Sequence, residues 1–248
     1  MENIDTQTAN GVPAGVKGII FDYGGTIDTR GDHWAHIIRQ GWTSAGVEAA
    51  EETFRDCYVE AERELARHRH ILPGDNFREL LVKKMRIELG RLCELGGIEA
   101  CDIEEKATAI ADYCYGYARG CVDEARPVLE ALSKRYPMVL VSNFYGNVDE
   151  VLRDFGIRHM FQGIIESAVV GIRKPDPRIF MLGVVALGLK PEEVLVVGDS
   201  LRKDILPARS IGCQTAWIKG RGWTADEDLA TDPALIPSLA ALLPAQAV

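Results

Sequence analysis

Short apolar runs and segments of helical spacing alternate along most of the chain. The first run, residues 16–21, is rich in β-branched residues and ends at the glycine-containing turn 22–26, which is typical of a buried strand. Beyond residue 122, helical and strand-like segments alternate, which predicts a parallel sheet with helices on both faces. The predicted strands are 18–22, 138–141, 163–166, 194–197 and 214–218, and the predicted helices among them are 127–136, 148–155, 177–187 and 203–210.

Residues from about 33 to 120 form a block of different character. Segments 51–69, 77–95 and 103–119 carry apolar residues at helical spacing, and no strand-like run interrupts them. The first strand precedes this block, so the simplest arrangement places that strand in the common sheet and treats the block as an insertion. The pattern therefore predicts an α/β fold, with a doubly wound parallel sheet as its core and an inserted all-helical cap domain.

This organisation divides the chain into four parts. Residues 17–30 and 121–223 form the predicted α/β core, and residues 31–120 form the predicted helical cap. Residues 1–16 are polar and contain Gly and Pro, which indicates a flexible N-terminal tail. Residues 224–248 are rich in Ala, Pro and Asp and are expected to form a loose helical C-terminal tail.

Composition and charge exclude several classes of partner. The 248 residues include 28 Lys and Arg against 37 Asp and Glu, a net charge of −9, and no basic block. Such a chain is a poor candidate for binding nucleic acid through phosphates or for lying on a membrane. Residues 1–16 do not resemble a signal peptide, and no apolar segment could span a bilayer. The six cysteines show no C-x-x-C pair, so we expect reduced thiols and a cytoplasmic protein.

A set of chemically active side chains falls just beyond the ends of the predicted strands. In an open parallel sheet, ligands bind beyond the carboxyl ends of the strands. Carboxylates crowded there repel each other unless a cation lies among them, and Mg²⁺ is typically held by one or two carboxylates plus phosphate oxygens of a substrate. Each residue alone could be a turn former, a helix cap or a surface charge, but their joint occurrence favours a site. The set comprises Asp22, Ser142, Asn143, Lys174, Asp199 and Asp204.

Four short motifs in this set resemble those of the haloacid dehalogenase superfamily. They are FDYGGT at 21–26, VSN at 141–143, KPD at 174–176, and GDS at 198–200 with Asp204 after it. The helical block falls where that superfamily inserts a helical cap after the first strand. The resemblance implies a Rossmann-like core and an Mg²⁺-dependent hydrolase, a phosphatase that acts on a small phosphorylated metabolite through an aspartyl-phosphate.

The resemblance also implies roles for individual residues. Asp22 would attack phosphorus as the nucleophile. Mg²⁺ would be held by Asp22, the backbone carbonyl of Gly24 and Asp199, with Asp204 supporting the metal site. Lys174 would hold Asp22 in place and, with Mg²⁺, would stabilise the charge that develops during phosphoryl transfer. The implied catalytic residues are Asp22, Lys174 and Ser142, and the implied phosphate-binding residues are Ser142, Asn143, Lys174, Gly25 and Thr26.

The sequence departs from the superfamily's phosphatases at Gly24. Two residues after the nucleophile, those phosphatases usually carry a second aspartate, which protonates the leaving group and then activates water. The loss of such a group typically costs about 10² to 10⁴ in rate. Four interpretations therefore stay open: a hydrolase with a good leaving group or another acid, a phosphonate hydrolase, a haloacid dehalogenase, and a non-catalytic binding protein on this scaffold.

Two of these interpretations point to particular residues. A replacement acid is sought just after the first motif, where His33 is the most attractive candidate because histidine titrates near neutral pH. A phosphonate hydrolase of this superfamily would use a cap lysine as a Schiff base, and the helical block offers three lysines without distinguishing context. Asp199 and Asp204 argue for a metal and against a dehalogenase. The acid candidates are Asp28, Asp32, His33 and His36, and the lysines are Lys83, Lys84 and Lys106.

Overall fold

Within the described residues, 11–244, the computed structural model contains one sheet of six parallel strands in the order β3-β2-β1-β4-β5-β6. Phe21 of the central strand β1 lies beside Leu140 of β2 and Val197 of β4. The α/β fold class predicted from the sequence is thus confirmed. The strands are β1 (Gly18–Phe21), β2 (Met138–Ser142), β3 (Gly163–Glu166), β4 (Val194–Gly198), β5 (Gln214–Ile218) and β6 (Leu235–Ile236).

Helices flank the sheet and fill the connection between β1 and β2. Four of them, α1 to α4, lie in that connection, where the sequence predicts the inserted block. That the block acts as a cap over the sheet stays a prediction. The helices are α1 (Trp34–Ser44), α2 (Glu51–Arg67), α3 (Phe77–Glu94), α4 (Ile103–Ser133), α5 (Val148–Asp154), α6 (Ser167–Val170), α7 (Arg178–Leu187), α8 (Leu206–Ser210) and α9 (Ala225–Leu229). Single helical turns cover Ala100–Asp102, Arg158–Met160, Pro191–Glu193, Leu201–Ile205 and Leu239–Leu242.

The central strands are buried on both faces, which explains why they read as unbroken apolar runs. Ile19 and Phe21 point to one face and join a core that includes the helices of the insert. Ile20 points to the other face, where α7 covers the sheet. Gly183 lets α7 pack closely there, because a Cβ at that position would lie 2.8 Å from Ile20. The sheet is therefore fixed from both sides, and its rim is held in a defined place.

Two helices predicted at 103–119 and 127–136 are one helix, α4, so this prediction is wrong. Gly120 and Pro127 are local signals for a break, and a proline inside a helix costs about 3 kcal/mol. The helix continues through both because its buried side chains form a stripe that runs along its whole length into the core. Tertiary burial thus outweighs the local signal.

The chain termini differ from the predicted tails. Leu235 of β6 pairs with Trp217 of β5, and Leu239 and Leu242 are buried, so the segment from residue 224 to 244 completes the sheet edge. The backbone amide of Gly11 donates to the carbonyl of Ala241 at 2.8 Å, which joins the two ends of the described chain. Residues 1–10 and 245–248 of the predicted tails lie outside the described residues.

The structure also bears on the expected reduced thiols and on the expected lack of a membrane-spanning segment. All six cysteines lie in the described part of the chain and are free thiols, as expected. Between residues 11 and 244, no helix combines the length and apolar character that a membrane span requires.

Glu88 on α3 generates a prediction about stability. Its carboxyl is fully buried without a hydrogen-bond partner among the described residues, and burial raises its pKa from 4.5 to about 8. Between these two values the unfolded chain ionises while the folded protein keeps the proton, so this group lowers stability by up to about 1.4 kcal/mol per pH unit. We expect Glu88→Gln to remove part of the loss of thermal stability between pH 5 and pH 8.

The measurement is thermal unfolding at several pH values for wild type, Glu88→Gln and Glu94→Gln. Glu94 is the matched control because it is an exposed glutamate on the same helix. The same pH dependence in all three proteins would contradict the assignment.

Candidate functional site

Three aspartates converge beyond the carboxyl ends of β1 and β4. Asp22 directly follows β1, Asp199 directly follows β4, and Asp204 lies in the helical turn after β4. One carboxylate oxygen of each lies within 4.8 Å of the others, and Asp22 and Asp204 are buried. The parallel pairing of β1 with β4 brings these ends together, as the sequence predicts.

A single buried lysine contacts two of the three carboxylates. The Nζ atom of Lys174 lies 2.7 Å from Oδ1 of Asp22 and 2.7 Å from Oδ1 of Asp204. Burial alone would lower the pKa of Lys174, but the two carboxylates raise it, so the ammonium is retained. Burial and repulsion from Asp204 and Asp22 raise the pKa of Asp199 well above its usual value. If all three carboxylates are ionised, their negative charge exceeds the positive charge of the single ammonium.

The donor set fits a hard divalent cation. Its side-chain donors are carboxylate oxygens in a small buried space, which is the chemistry that Mg²⁺ prefers. A divalent cation would offset the excess charge and remove the repulsion that raises the pKa of Asp199. The residues present therefore fit an Mg²⁺ site formed by Asp22, Asp199 and Asp204.

The turn after β1 is shaped around Asp199. Gly25 has a φ of 96°, and a Cβ at this position would lie 2.3 Å from the Asp199 carboxylate, so only glycine admits that side chain. The hydroxyl of Thr26 donates to Oδ1 of Asp199 at 3.1 Å. Oδ1 of Asp28 accepts from the Gly25 amide at 2.7 Å, and Oδ2 accepts from the Trp34 indole at 3.0 Å. These bonds position the carboxylates at the rim.

Two residues predicted to contact phosphate have their side chains engaged elsewhere. The Asn143 amide accepts from the backbone N–H of Lys174 at 2.9 Å and donates to its carbonyl at 3.1 Å. Asn143 thereby fixes the loop that carries Lys174. The Thr26 hydroxyl is occupied with Asp199 and does not line the cavity described next. Ser142 at the end of β2 is buried and does line it, and its binding of phosphate stays a prediction.

A cavity of about 700 Å³ lies above these residues. The part of the cavity lining formed by the rim of the sheet, called the floor below, includes Asp22, Ser142 and Lys174. Gly24 also lines the cavity. The insert, together with Tyr145 from the loop after β2, supplies much of the remaining wall, which mixes apolar and polar side chains. Sequence analysis named Lys84 only as one of three undistinguished lysines and missed the polar group that it joins. The apolar residues include Trp34, Ile38, Phe77, Leu80 and Leu81, and the polar group comprises Tyr58, Glu62, Lys84 and Tyr145.

Gly24 has room for a side chain. A Cβ at this position would meet no atom within 4 Å, and its backbone does not have the left-handed conformation of Gly25. The backbone at position 24 could therefore carry an aspartate, so the fold does not require a glycine there.

His33 lines the cavity but does not have the protonation behaviour expected of it. It begins α1, where Nδ1 accepts from the Ala35 amide at 3.3 Å, and its ring packs against Tyr58 and Trp223. Burial, followed by the charges of nearby lysines, lowers its pKa to about 3. The ring is therefore neutral near pH 7, with its proton on Nε2. A neutral imidazole is a poor general acid, so the structure argues against His33 in this role.

The other three candidates for the missing acid do not line the cavity. Burial raises the pKa of Asp28 to about 8, but its carboxylate is occupied by the Gly25 amide and the Trp34 indole. Asp32 pairs with Arg221, and His36 contacts the carbonyl of Gly222 at 2.8 Å. Their roles in the structure are to hold the turn after β1 and the loop after β5.

Comparisons with known proteins add a family and several relatives. A sequence profile described as haloacid dehalogenase-like hydrolase matches residues 16–212, more than half of the chain. A phosphoserine phosphatase of Thermus thermophilus is 37% identical over 90 residues, 36% of this chain and 36% of that protein. A glyceraldehyde 3-phosphate phosphatase of Methanopyrus kandleri is 43% identical over 70 residues, 28% and 30% of the two chains. A haloacid dehalogenase-like hydrolase domain-containing protein 3 of Mus musculus is 30% identical over 146 residues, 56% and 58%. The matched segments span 30% to 58% of these relatives' lengths.

Solved structures share the fold over most of the chain. A dehalogenase with an intermediate complex aligns with a TM-score of 0.62 at 18% identity, covering 93% of this chain and 97% of that one. The hydrolase YfnB of Bacillus subtilis, solved with bound magnesium, aligns with a TM-score of 0.51 at 20% identity, covering 82% and 88%. Similarity at these identities establishes the fold alone.

The acidic rim generates a prediction about metal binding. We expect calorimetric titration with Mg²⁺ to show binding that Asp199→Ala weakens at least tenfold, about 1.4 kcal/mol. Asp226→Ala is the matched control, because Asp226 lines the same cavity from an exposed position on α9. The absence of Mg²⁺ binding to the wild type, with or without inorganic phosphate, would contradict the assignment.

Proposed function

Since the chain belongs to the haloacid dehalogenase-like hydrolases, we propose that it hydrolyses phosphate monoesters of small molecules through an aspartyl-phosphate on Asp22. One observation carries the proposal: the Asp22 carboxylate is held by Lys174 in the lining of a cavity to which Ser142 also contributes. The relatives named as phosphoserine and glyceraldehyde 3-phosphate phosphatases support phosphate esters as the substrate class.

The contacts at the floor suggest which atom reacts. Lys174 holds Oδ1 of Asp22, which leaves Oδ2 to attack phosphorus. A bond forms between Oδ2 and phosphorus, and the bond from phosphorus to the ester oxygen breaks, with its electron pair leaving on that oxygen. The Ser142 hydroxyl and the Lys174 ammonium bind phosphoryl oxygens and orient them for this displacement. A water oxygen then forms a bond to phosphorus while the bond from phosphorus to Oδ2 breaks, and a proton of that water passes to the departing phosphate or to solvent. This step releases inorganic phosphate and restores the Asp22 carboxylate.

The fold family implies Mg²⁺ as the cofactor, and the rim fits it. Asp22, the carbonyl of Gly24 and Asp199 would hold the ion, with Asp204 behind them. When bound there, Mg²⁺ neutralises charge on the phosphoryl oxygens. Lys174 holds Asp22 and Asp204 in their converging arrangement through its contacts with both carboxylates.

Gly24 sets the chemical limit of this site. No side chain at this position can protonate the departing oxygen or take a proton from the attacking water. His33 is neutral near pH 7 and does not replace that group as an acid. The departing oxygen therefore leaves with most of its negative charge, so turnover should fall steeply as the leaving group becomes more basic. Substrates with weakly basic leaving groups are favoured.

The lysines of the insert give no support to a phosphonate-cleaving Schiff base. Lys83 pairs with Asp75, and Lys106 donates to the carbonyl of Ala45 at 2.7 Å. Lys84 does line the cavity, but the Glu62 carboxylate and its other neighbours outweigh burial and raise its pKa well above 10.5. An imine forms from a neutral amine, and Lys84 is held as an ammonium. The phosphatase interpretation is the one that the described contacts favour.

The first test is Mg²⁺-dependent turnover of an aryl phosphate. We expect Asp22→Asn to lower this turnover at least about 10³-fold, because it removes the nucleophile. Asp226→Asn, on the exposed part of the cavity wall, should leave it nearly unchanged. Full activity of Asp22→Asn would refute the role of Asp22. A wild type without turnover on a panel that also holds acyl phosphates, phosphonoacetaldehyde and haloacids would favour a non-catalytic binding protein.

The second test supplies the missing carboxylate. We expect Gly24→Asp to raise turnover of phosphates with basic leaving groups about tenfold or more, and to flatten the dependence of rate on leaving-group acidity. The open space at Gly24 admits the new side chain. The measurement is a series of aryl phosphates whose phenols differ in acidity, with unchanged circular dichroism as the check on folding.

Two variants serve as controls for this series. Gly24→Ala adds a side chain without a carboxyl and should leave the steep dependence in place. His33→Ala should also leave it in place, since a neutral His33 supplies no proton. A shallow dependence in the wild type that becomes steep in His33→Ala would instead identify His33 as the acid.

A further inference from the structure

We propose that Glu62 and Lys84 form a second binding site in the same cavity, for a net-neutral leaving group that carries both hydrogen-bond donors and acceptors, either a polyol or an amino acid zwitterion. The proposal rests on the proposed function, since it requires the phosphate to lie at Asp22. It adds the class of substrate, which the floor of the cavity does not define.

The two charged residues come from separate helices of the insert. Glu62 lies on α2 and Lys84 on α3, and their side chains form an ion pair on the wall of the cavity. The Lys84 side chain is only 6% exposed, and its Nζ lies 4.5 Å from the centre of the Tyr58 ring. The Glu62 side chain is 31% exposed, so the pair joins a buried ammonium to a carboxylate that is partly open to solvent. An ion pair with a buried member contributes little net stability compared with apolar packing, so its position on the cavity wall calls for a function.

Each partner retains capacity for a ligand. An ammonium has three donors, and Lys84 uses one on Glu62 and directs its charge at the Tyr58 ring. The single proton of the Tyr145 hydroxyl is shared between Oε1 and Oε2 of Glu62, at 3.0 and 3.2 Å, and Lys84 donates to Oε1. A carboxylate has about four acceptor positions, so one stays open on Oε2. The wall thus presents an anionic acceptor beside a cationic donor.

Tyr145 connects this pair to the catalytic floor. It lies three residues beyond Ser142, the last residue of β2, in the loop that also carries Asn143. Its hydroxyl therefore joins Glu62 of the insert to the loop that directly follows the phosphate-binding serine. A substrate whose phosphate lies at Asp22 and whose remaining part reaches across the cavity would contact both groups.

The balance of charge selects the ligand. Glu62 and Lys84 neutralise each other, so a ligand with a single extra charge would compete with one partner for the other. A polyol can donate to Glu62 and accept from Lys84 without disturbing the pair, and a zwitterion places its ammonium and carboxylate on the opposite charges. Arg173 also lines the cavity and acts on Glu62 through its charge, but its side chain is exposed, so solvent screens that charge.

The test measures binding and does not depend on turnover. Phosphonates in which CH₂ replaces the ester oxygen are titrated into the wild type with Mg²⁺ by calorimetry. The matched four-carbon set is n-butylphosphonate, 3,4-dihydroxybutylphosphonate, 2-amino-4-phosphonobutanoate, the anionic 4-phosphonobutanoate and the cationic 4-aminobutylphosphonate, with methylphosphonate as the reference for the phosphate site.

We expect the dihydroxy compound, the amino acid or both to bind about tenfold or more tightly than n-butylphosphonate, as two charge-assisted hydrogen bonds predict. Which of the two binds tighter distinguishes a polyol from an amino acid. The double variant Glu62→Gln with Lys84→Met should bring both within about twofold of n-butylphosphonate and leave methylphosphonate binding unchanged. The double variant avoids an unpaired buried charge.

Two adjacent residues provide controls. The control variants are Lys83→Met and Glu64→Gln. Lys83 is adjacent to Lys84 on α3, and Glu64 follows Glu62 by two residues on α2. Neither side chain lines the cavity. Both should keep the wild-type preference. Tightest binding of the anionic or cationic compound, equal binding of n-butylphosphonate, or an unchanged preference in the double variant would overturn the proposal. Absent methylphosphonate binding would overturn the phosphate site itself, and this proposal with it.

Discussion

The ion pairs of Lys174 with Asp22 and Asp204 are the contacts on which the site depends. Three carboxylates converge at one rim of the sheet, and this ammonium contacts two of them at 2.7 Å. Local geometry serves the same arrangement. The absence of a side chain at Gly25 and at Gly198 makes room for Asp199 and Asp204, since a Cβ would lie 2.3 and 2.4 Å from them. The excess charge that remains is the physical argument for a divalent cation.

The sequence was sufficient for the first five strands of the sheet and for its rim, because these are encoded locally, whereas the short edge strand β6 was not predicted. Strands buried on two faces read as short apolar runs, and the polar residues that end them fall at one edge when the strands are parallel. Asp22, Ser142 and Asp199 could therefore be placed together before any coordinates. Helix α4 could not be predicted as one element, since Gly120 and Pro127 are local signals and the burial that overrides them is long-range.

The far wall of the cavity has no comparable signature. Glu62, Lys84 and Tyr145 come from three elements of the chain, and nothing in their spacing indicates that they meet. The protonation of His33 is another property that the sequence could not predict. Its identity suggested a group that titrates near neutral pH, but burial against Tyr58 and Trp223 lowers its pKa to about 3. Pairing and burial decide the chemistry of such residues, and both are properties of the fold.

Gly24 and the far wall together define what kind of catalyst this chain can be. With no carboxyl at Gly24, the site has little means of helping a basic leaving group to depart, so the floor alone favours weakly basic ones. A wall that binds the rest of the substrate works in the opposite direction, because binding energy from a distant group can orient the phosphate and offset part of a lost proton transfer. If the wall did not bind the rest of the substrate, the site would accept any phosphate ester with a weakly basic leaving group. The Glu62–Lys84 pair, whose lysine is buried and which lines the same cavity as Asp22, favours a catalyst that gains its rate from positioning more than from proton transfer.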